Sequence, residues 1–331
     1  MNTDEIIEAF YGLGKSLKAI PEYVIETAHI SNNWFTPLNI KTAGEKWSLA
    51  LSENNIRNWF QDIVPSDTPK KIGIIMAGNI PFVGLHDLLC VLAKGHHAVV
   101  KLSSNDEVLM GHAIAILRQY STDIDSRITL TDSLKGIDAL IATGSNNSSR
   151  YFEHYFRNVP TLIRKNRTSI AVLSGNETDE ELIRLSDDIY TYFGLGCRNV
   201  THLILPQGFE LRRMYEAFDK YMDIVNHHKY YNNYMYHKSI LLMNLSKHYD
   251  NGFMLFQEKE ELHAPIATLN YHYYTSNDQI DSYIHQHQDA LQCVITNLKL
   301  STDTESFGNS QSPGLEDYAD KVNTIEFLNK V

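Results

Sequence analysis

Lys71-Ile72-Gly73-Ile74-Ile75-Met76-Ala77-Gly78-Asn79-Ile80-Pro81-Phe82 is the stretch whose reading sets the fold. Residues 72–77 are a short, unbroken apolar run, the pattern of a strand buried on both faces. Glycine, asparagine and proline then interrupt the run, and residues 82–93 recur with helical period. The same grammar repeats downstream. Residues 97–102 read as a second buried strand, and Asn105 reads as the cap of a helix to about 120. Strands at 128–130 and 139–142 and a helix at 148–157 follow. Strand and helix in this alternation mean a parallel sheet covered on both sides.

Working outward, a second α/β segment is expected from strands at 170–173 and 200–205 and helices at 179–192 and 209–225. Strands near 239–243, 267–273 and 292–296 and a helix near 276–288 complete it. Residues 226–236 are rich in Tyr, Asn and His without a clear period, and read as a long surface segment, a candidate lid. Upstream, residues 1–69 read as mostly helical and hold all three tryptophans, whose spacing suits packing of a helical layer.

The totals exclude several classes. A net charge of −11 speaks against a nucleic-acid partner, which needs a basic stripe. Arg164, Lys165 and Arg167 could serve only a small anionic ligand. No run reaches the roughly 20 apolar residues of a membrane span, and the acidic opening is not a secretory signal. Three widely spaced cysteines fit neither a disulfide frame nor a zinc site, so a reducing, cytoplasmic setting is expected. Fifteen histidines raise the question of a metal. The one HxH, His285-Gln286-His287, falls on an expected helix, where residues two apart do not share a face. No metal is expected.

Six short segments could carry chemistry. Asn79 follows the first strand, where ligands of open α/β sheets bind, and offers an amide suited to a developing oxyanion. Lys101 ends the Val99-Val100-Lys101 strand. Thr143-Gly144-Ser145 forms a strand-turn-helix junction suited to an anionic group. Gly194-Leu195-Gly196-Cys197-Arg198 leaves a thiol unshielded just after two glycines, next to a cation that could favour its thiolate. The residues alone leave Cys197 open as a nucleophile or a small buried hydrophobe; Cys90 and Cys293 fit the latter. Glu261-Leu262-His263-Ala264-Pro265 and Phe307-Gly308 read singly as loops.

Taken in order, these segments resemble the aldehyde dehydrogenase superfamily, and within it the acyl-CoA reductases similar to the fatty acyl-CoA reductase of bacterial bioluminescence. The resemblance covers about residues 70–331. It implies an α/β architecture with a helical N-terminal region (1–69), a Rossmann-like cofactor-binding domain (70–175, with 300–331 free to return to it) and a catalytic domain (176–299). It implies Cys197 as nucleophile and Asn79 as oxyanion donor. Lys101, Ser104, Gly144, Ser145, Glu261 and Phe307 become cofactor contacts. Ser104 stands where many NAD-preferring members carry Glu, so NADPH is favoured, with NADH still open.

This superfamily binds its cofactor without GxGxxG, which this chain lacks. Where oxidative members place a general-base Glu, this chain has Leu162-Ile163-Arg164-Lys165-Asn166-Arg167. The expected reaction is therefore reduction of an acyl-CoA to an aldehyde through a thioacyl-cysteine. An acyl-phosphate reductase and a non-catalytic binding module are the alternatives. Homo-oligomerisation is left open.

Overall fold

The computed structural model describes residues 3–144 and 146–331. They form two units, Met1–Asn166 with Ser312–Val331, and Arg167–Gln311.

The first unit begins with helices Thr3–Leu17, Glu22–Ser31, Pro37–Ala50 and Glu53–Trp59. In the first of these Ile6, Phe10, Leu13 and Leu17 are buried at spacings of three and four, one apolar stripe turned to the core. Thr36 caps the third through its hydroxyl, which accepts from the Asn39 amide, and Pro37 opens it. Only Trp59 of the three tryptophans is buried; Trp34 and Trp47 are half-buried. The Trp59 indole donates to Tyr318 Oη at 3.0 Å, so the expected helical layer packs on the returning C-terminus as well.

Sheet A comprises β1 (Lys71–Ile75), β2 (His97–Lys101), β3 (Ile128–Leu130), β4 (Ala139–Thr143) and β5 (Thr161–Arg164), all parallel, in the order β3-β2-β1-β4-β5. The chain winds outward from β1 in both directions, so the carboxyl end of β1 is the switch point at which such sheets open a crevice. Strand β5 was not foreseen. Its last residue, Arg164, is 3 % exposed and binds Asp87 Oδ1 at 2.7 Å and Thr324 Oγ1 at 2.7 Å. That guanidinium pins the returning C-terminal segment and is not a surface anion site.

The second unit is built on sheet B: β6 (Thr168–Val172), β7 (Val200–Pro206), β8 (Tyr249–Asp250), β9 (Leu255–Glu258), β10 (Thr268–Tyr274) and β11 (Leu291–Ile295). Its order is β11-β6-β7-β10-β9-β8, parallel except for the antiparallel edge pair β8–β9. Strand β6 thus pairs with β7 and β11, not with sheet A. Ala171, Leu203 and Leu269 face one core with Leu182 and Phe218; Ile170 and Ile204 face another with Ile280 and Ile284. Both faces are covered, as the apolar runs implied.

Three local expectations are corrected. The segment read as a lid is the N-terminal part of a helix, His228–Met243, which also absorbs the strand expected at 239–243. Residues 209–225 form a shorter helix, Arg212–Phe218, continued by a 3₁₀ segment, Asp219–Asn226. The helix after β2 is Glu107–Tyr120; its cap position is Asp106, not Asn105.

Candidate active site

Asn79, Lys101 and Gly144 follow or end β1, β2 and β4, which lie side by side, so their loops share the carboxyl edge of sheet A. Asn79, Lys101 and Ser104 are exposed, and Gly144 is half-buried. Ser145 lies outside the described residues. Gly144 leads into the helix Asn146–Tyr155, whose N-terminus therefore lies at that edge.

The Asn79 loop is tightly held. A Cβ on Gly78 would stand 2.5 Å from Ser103 Oγ and 2.9 Å from Asn105 Cβ, so only glycine lets the loops after β1 and β2 touch here. Phe82 is fully buried with φ +60°. A non-glycine residue there costs about 1–2 kcal/mol, and such strain concentrates at functional sites. The Phe82 amide donates to Asp106 Oδ2 at 2.9 Å. Burial pushes the Asp106 carboxyl well up, opposed by its bonds from the Phe82 and Val83 amides.

In the second unit Cys197 is half-buried. Tyr192, Phe193 and Gly194 have φ of +56°, +59° and +75°, and reverse the chain after the helix Asp179–Tyr190. Gly196 to Asn199 then form a tight turn, closed by the Asn199 amide on Gly196 O at 3.1 Å, with Cys197 at its second position. Asn199 is fully buried and holds this reversal together. Its Oδ1 accepts from Gly196 N at 2.8 Å, and its Nδ2 donates to the carbonyls of Asp188, Ile189 and Thr191. Ser169 on β6 donates to Cys197 O and accepts from Cys293 N, both at 3.1 Å. Arg198 reaches Cys293 Sγ at 3.3 Å, Ser310 O at 3.5 Å and Glu305 at 3.9 Å. Cys293, foreseen as an inert core residue, thus carries a cationic neighbour.

Glu261 lies in the loop between β9 and β10. Its carboxylate is mostly exposed, 3.7 Å from Lys259. It lines a cavity of about 170 Å³ with His237, Lys259 and His263. Its backbone is fixed from below: Glu261 O accepts from Asn270 Nδ2 at 2.8 Å and meets His202 Nδ1 at 3.0 Å. His202 Nε2 is 2.6 Å from His272 Nδ1. Since the carbonyl only accepts, His202 carries its proton on Nδ1 and accepts from His272. Burial, with His272 beside it, lowers His202 to about 3.

Phe307 is 2 % exposed and its ring belongs to the core of this unit. The turn it opens is anchored by the buried Asp188, which accepts from Gly308 N at 2.6 Å and Ser310 N at 3.0 Å. Cys197, Glu261 and the Phe307 turn thus gather around the start of β7. That is the amino edge of sheet B, the opposite edge from the one where open sheets ordinarily bind.

Sequence reasoning missed the supporting residues Asn199, Ser169, Asp188, Asp106, His202 and Asn270. The Gly-x-x-Asn spacing of a tight turn was the one signal for Asn199; the others depend on partners far along the chain. Among the described residues no group of three or more His, Cys, Asp or Glu is placed to hold a metal ion, and no helix is long and apolar enough to cross a membrane.

A parallel sheet A wound outward from β1, and a mixed sheet B preceded at its β7 by a cysteine-bearing turn, together make the aldehyde dehydrogenase fold. The chain is similar to an indole-3-acetaldehyde dehydrogenase solved with NAD+ (TM-score 0.65, 9 % identity, 91 % of this chain and 73 % of that one). It is similar also to the NADP-dependent glyceraldehyde-3-phosphate dehydrogenase of Bacillus halodurans C-125 solved with NADP (TM-score 0.65, 10 % identity, 89 % and 74 %). The aldehyde dehydrogenase KauB of Pseudomonas aeruginosa compares equally (TM-score 0.65, 10 % identity, 92 % and 73 %). No family model and no curated protein matches the sequence. At these identities the likeness is one of fold.

Proposed function

We propose that the chain reduces acyl-CoA thioesters to aldehydes with NADPH, through a thioacyl link to Cys197. The observation that carries this reading is Cys197 itself, half-buried on a turn that a fully buried asparagine fixes, in a fold shared with aldehyde dehydrogenases. A cysteine that is only half-buried, on a turn fixed by hydrogen bonds, suits a nucleophile.

The Cys197 thiolate attacks the thioester carbonyl. Asn79 and the Cys197 backbone N–H hold the oxyanion, and CoA leaves as its thiol. The donor set fits a dinucleotide. Lys101 and Ser104 offer an ammonium and a hydroxyl at the carboxyl edge of sheet A, and the helix after Gly144 offers amides to phosphate. Glu261, beside its cavity, suits a ribose. The Phe307 turn, anchored through its buried ring, completes the contacts. A hydroxyl at 104 instead of a carboxylate tolerates a 2′-phosphate. When bound, NADPH supplies the hydride. Residues 162–167 contain no carboxylate to activate water, so the thioacyl group is spared hydrolysis.

Intact-mass analysis after incubation with acyl-CoAs of graded length, without NADPH, tests this. One acyl group should add to the native chain and none to Cys197→Ala. Acylation by acyl phosphates but not acyl-CoAs would replace the substrate class, and absence of any adduct would overturn the proposal.

A further inference from the structure

The functional reading leaves Asp106 unused, and its surroundings are unusual. It stands at the cap position of the helix Glu107–Tyr120, where an Asp side chain ordinarily accepts from an amide of its own first turn. It makes no such bond. Its Oδ2 turns away and accepts from Phe82 N at 2.9 Å, across to the loop after β1. The residue is 2 % exposed, and its other oxygen, Oδ1, is buried without a hydrogen-bond partner. The fold therefore forgoes a helix cap and desolvates a carboxyl in order to grip the Phe82 amide, with the Val83 amide beside it.

The gripped amide belongs to Phe82, whose left-handed backbone would relax without a tether. Asn79 lies three residues upstream, on the same turn. Gly78, on its other side, is wedged against Ser103 and Asn105. The Asn79 peptide is thus held at both ends, by the wedge and by the carboxyl.

We propose that Asp106 is a positioning residue: by fixing Phe82 it sets where the Asn79 carboxamide is presented to the reacting carbonyl. The inference rests on the acyl-transfer reading for its catalytic part. An acceptor oxygen on a side chain of this length is needed because it reaches the neighbouring loop, whereas a serine at 106 would cap its own helix and release the turn.

The test uses the full chain with Asp106→Ser, Asp106→Asn and Asp106→Ala, each alone and with Asn79→Ala. Three quantities are followed: the single-turnover rate of Cys197 acylation, kcat and KM with acyl-CoA and NADPH, and amide hydrogen exchange over residues 78–84. Asp106→Ser and Asp106→Ala should lower the acylation rate and kcat at least about tenfold with KM little changed, and should speed exchange in that segment. Asp106→Asn, which keeps an acceptor oxygen, should recover most of the rate. With Asn79→Ala already present, the Asp106 changes should cost almost nothing more, since the group they position is gone. Losses that multiply in the double variants, or unchanged exchange in Asp106→Ser, would overturn the positioning role. If the wild-type chain takes no acyl group, the acyl-transfer reading is what fails, and the exchange measurement still decides whether Asp106 holds the turn.

Discussion

Cys197 and Asn199 share a turn but differ in how openly the sequence announces them. A cysteine between a glycine and an arginine is visible in a linear reading; a buried asparagine with four hydrogen bonds is not. Replacing Asn199 by Leu removes every one of those bonds and strands three carbonyls and an amide. Denaturant unfolding should register a loss of about 2–4 kcal/mol, and acylation of Cys197 should slow as its turn loosens. At Asn79 the expectation is kinetic. If Asn79 is the proposed oxyanion donor, substitution by Ala should lower kcat about 10²- to 10³-fold, the loss expected for one such donor. A variant with wild-type turnover would remove Asn79 from the chemistry. Arg198 shows where reading by neighbours misleads: adjacent to Cys197 in sequence, it sends its guanidinium to Cys293, because side-chain direction belongs to the turn geometry.

Among the elements, the helix His228–Met243 is the instructive one. Tyr230, Tyr234 and Leu241 are buried at intervals of four and seven, which is helical period, yet tyrosine reads as half-polar and the period is masked. The structure resolves the ambiguity through the hydroxyls. Tyr230 Oη donates to Phe253 O at 2.9 Å and Tyr234 Oη to the Asp250 carboxylate at 2.8 Å. Tyr230→Ala should therefore cost about 3–5 kcal/mol, and Tyr230→Phe only about 1 kcal/mol; equal costs in denaturant titrations would mean that burial of the ring is not what holds the helix. In the first unit the tie between β5, the helix Leu85–Ala93 and the C-terminal segment is the buried Arg164–Asp87 pair. Asp87→Ala leaves a cation 3 % exposed without its carboxylate, for an expected loss of about 3–5 kcal/mol by the same measurement.

For the molecule as a whole, acid should be the sensitive variable. His202 titrates near its usual 6.5 when unfolded and at about 3 when folded, chiefly through burial. Between those values the unfolded chain binds more protons, so stability is lost as pH falls from about 6.5 toward 3. Each buried neutral histidine of this kind contributes up to about 1.4 kcal/mol per pH unit. His202→Gln should flatten the fall of the unfolding midpoint over that window by close to one proton; an unchanged slope would show that His202 does not drive it. The strand grammar of residues 71–143 was legible because buried parallel strands and their turn residues are local signals. The sequence alone determined that the chain is α/β with parallel sheets, since hydrophobic period acts over a few residues; it offered Cys197 and the strand-end loops as candidates, and only the resemblance gave them roles. Only the tertiary structure decided that 228–243 is helix, that β6 belongs to sheet B, and that Asn199, Asp106 and His202 hold the loops in place. Each of those outcomes depends on burial against residues distant in the chain, and the free energy of a buried hydrogen bond exists only once its partner has been brought there.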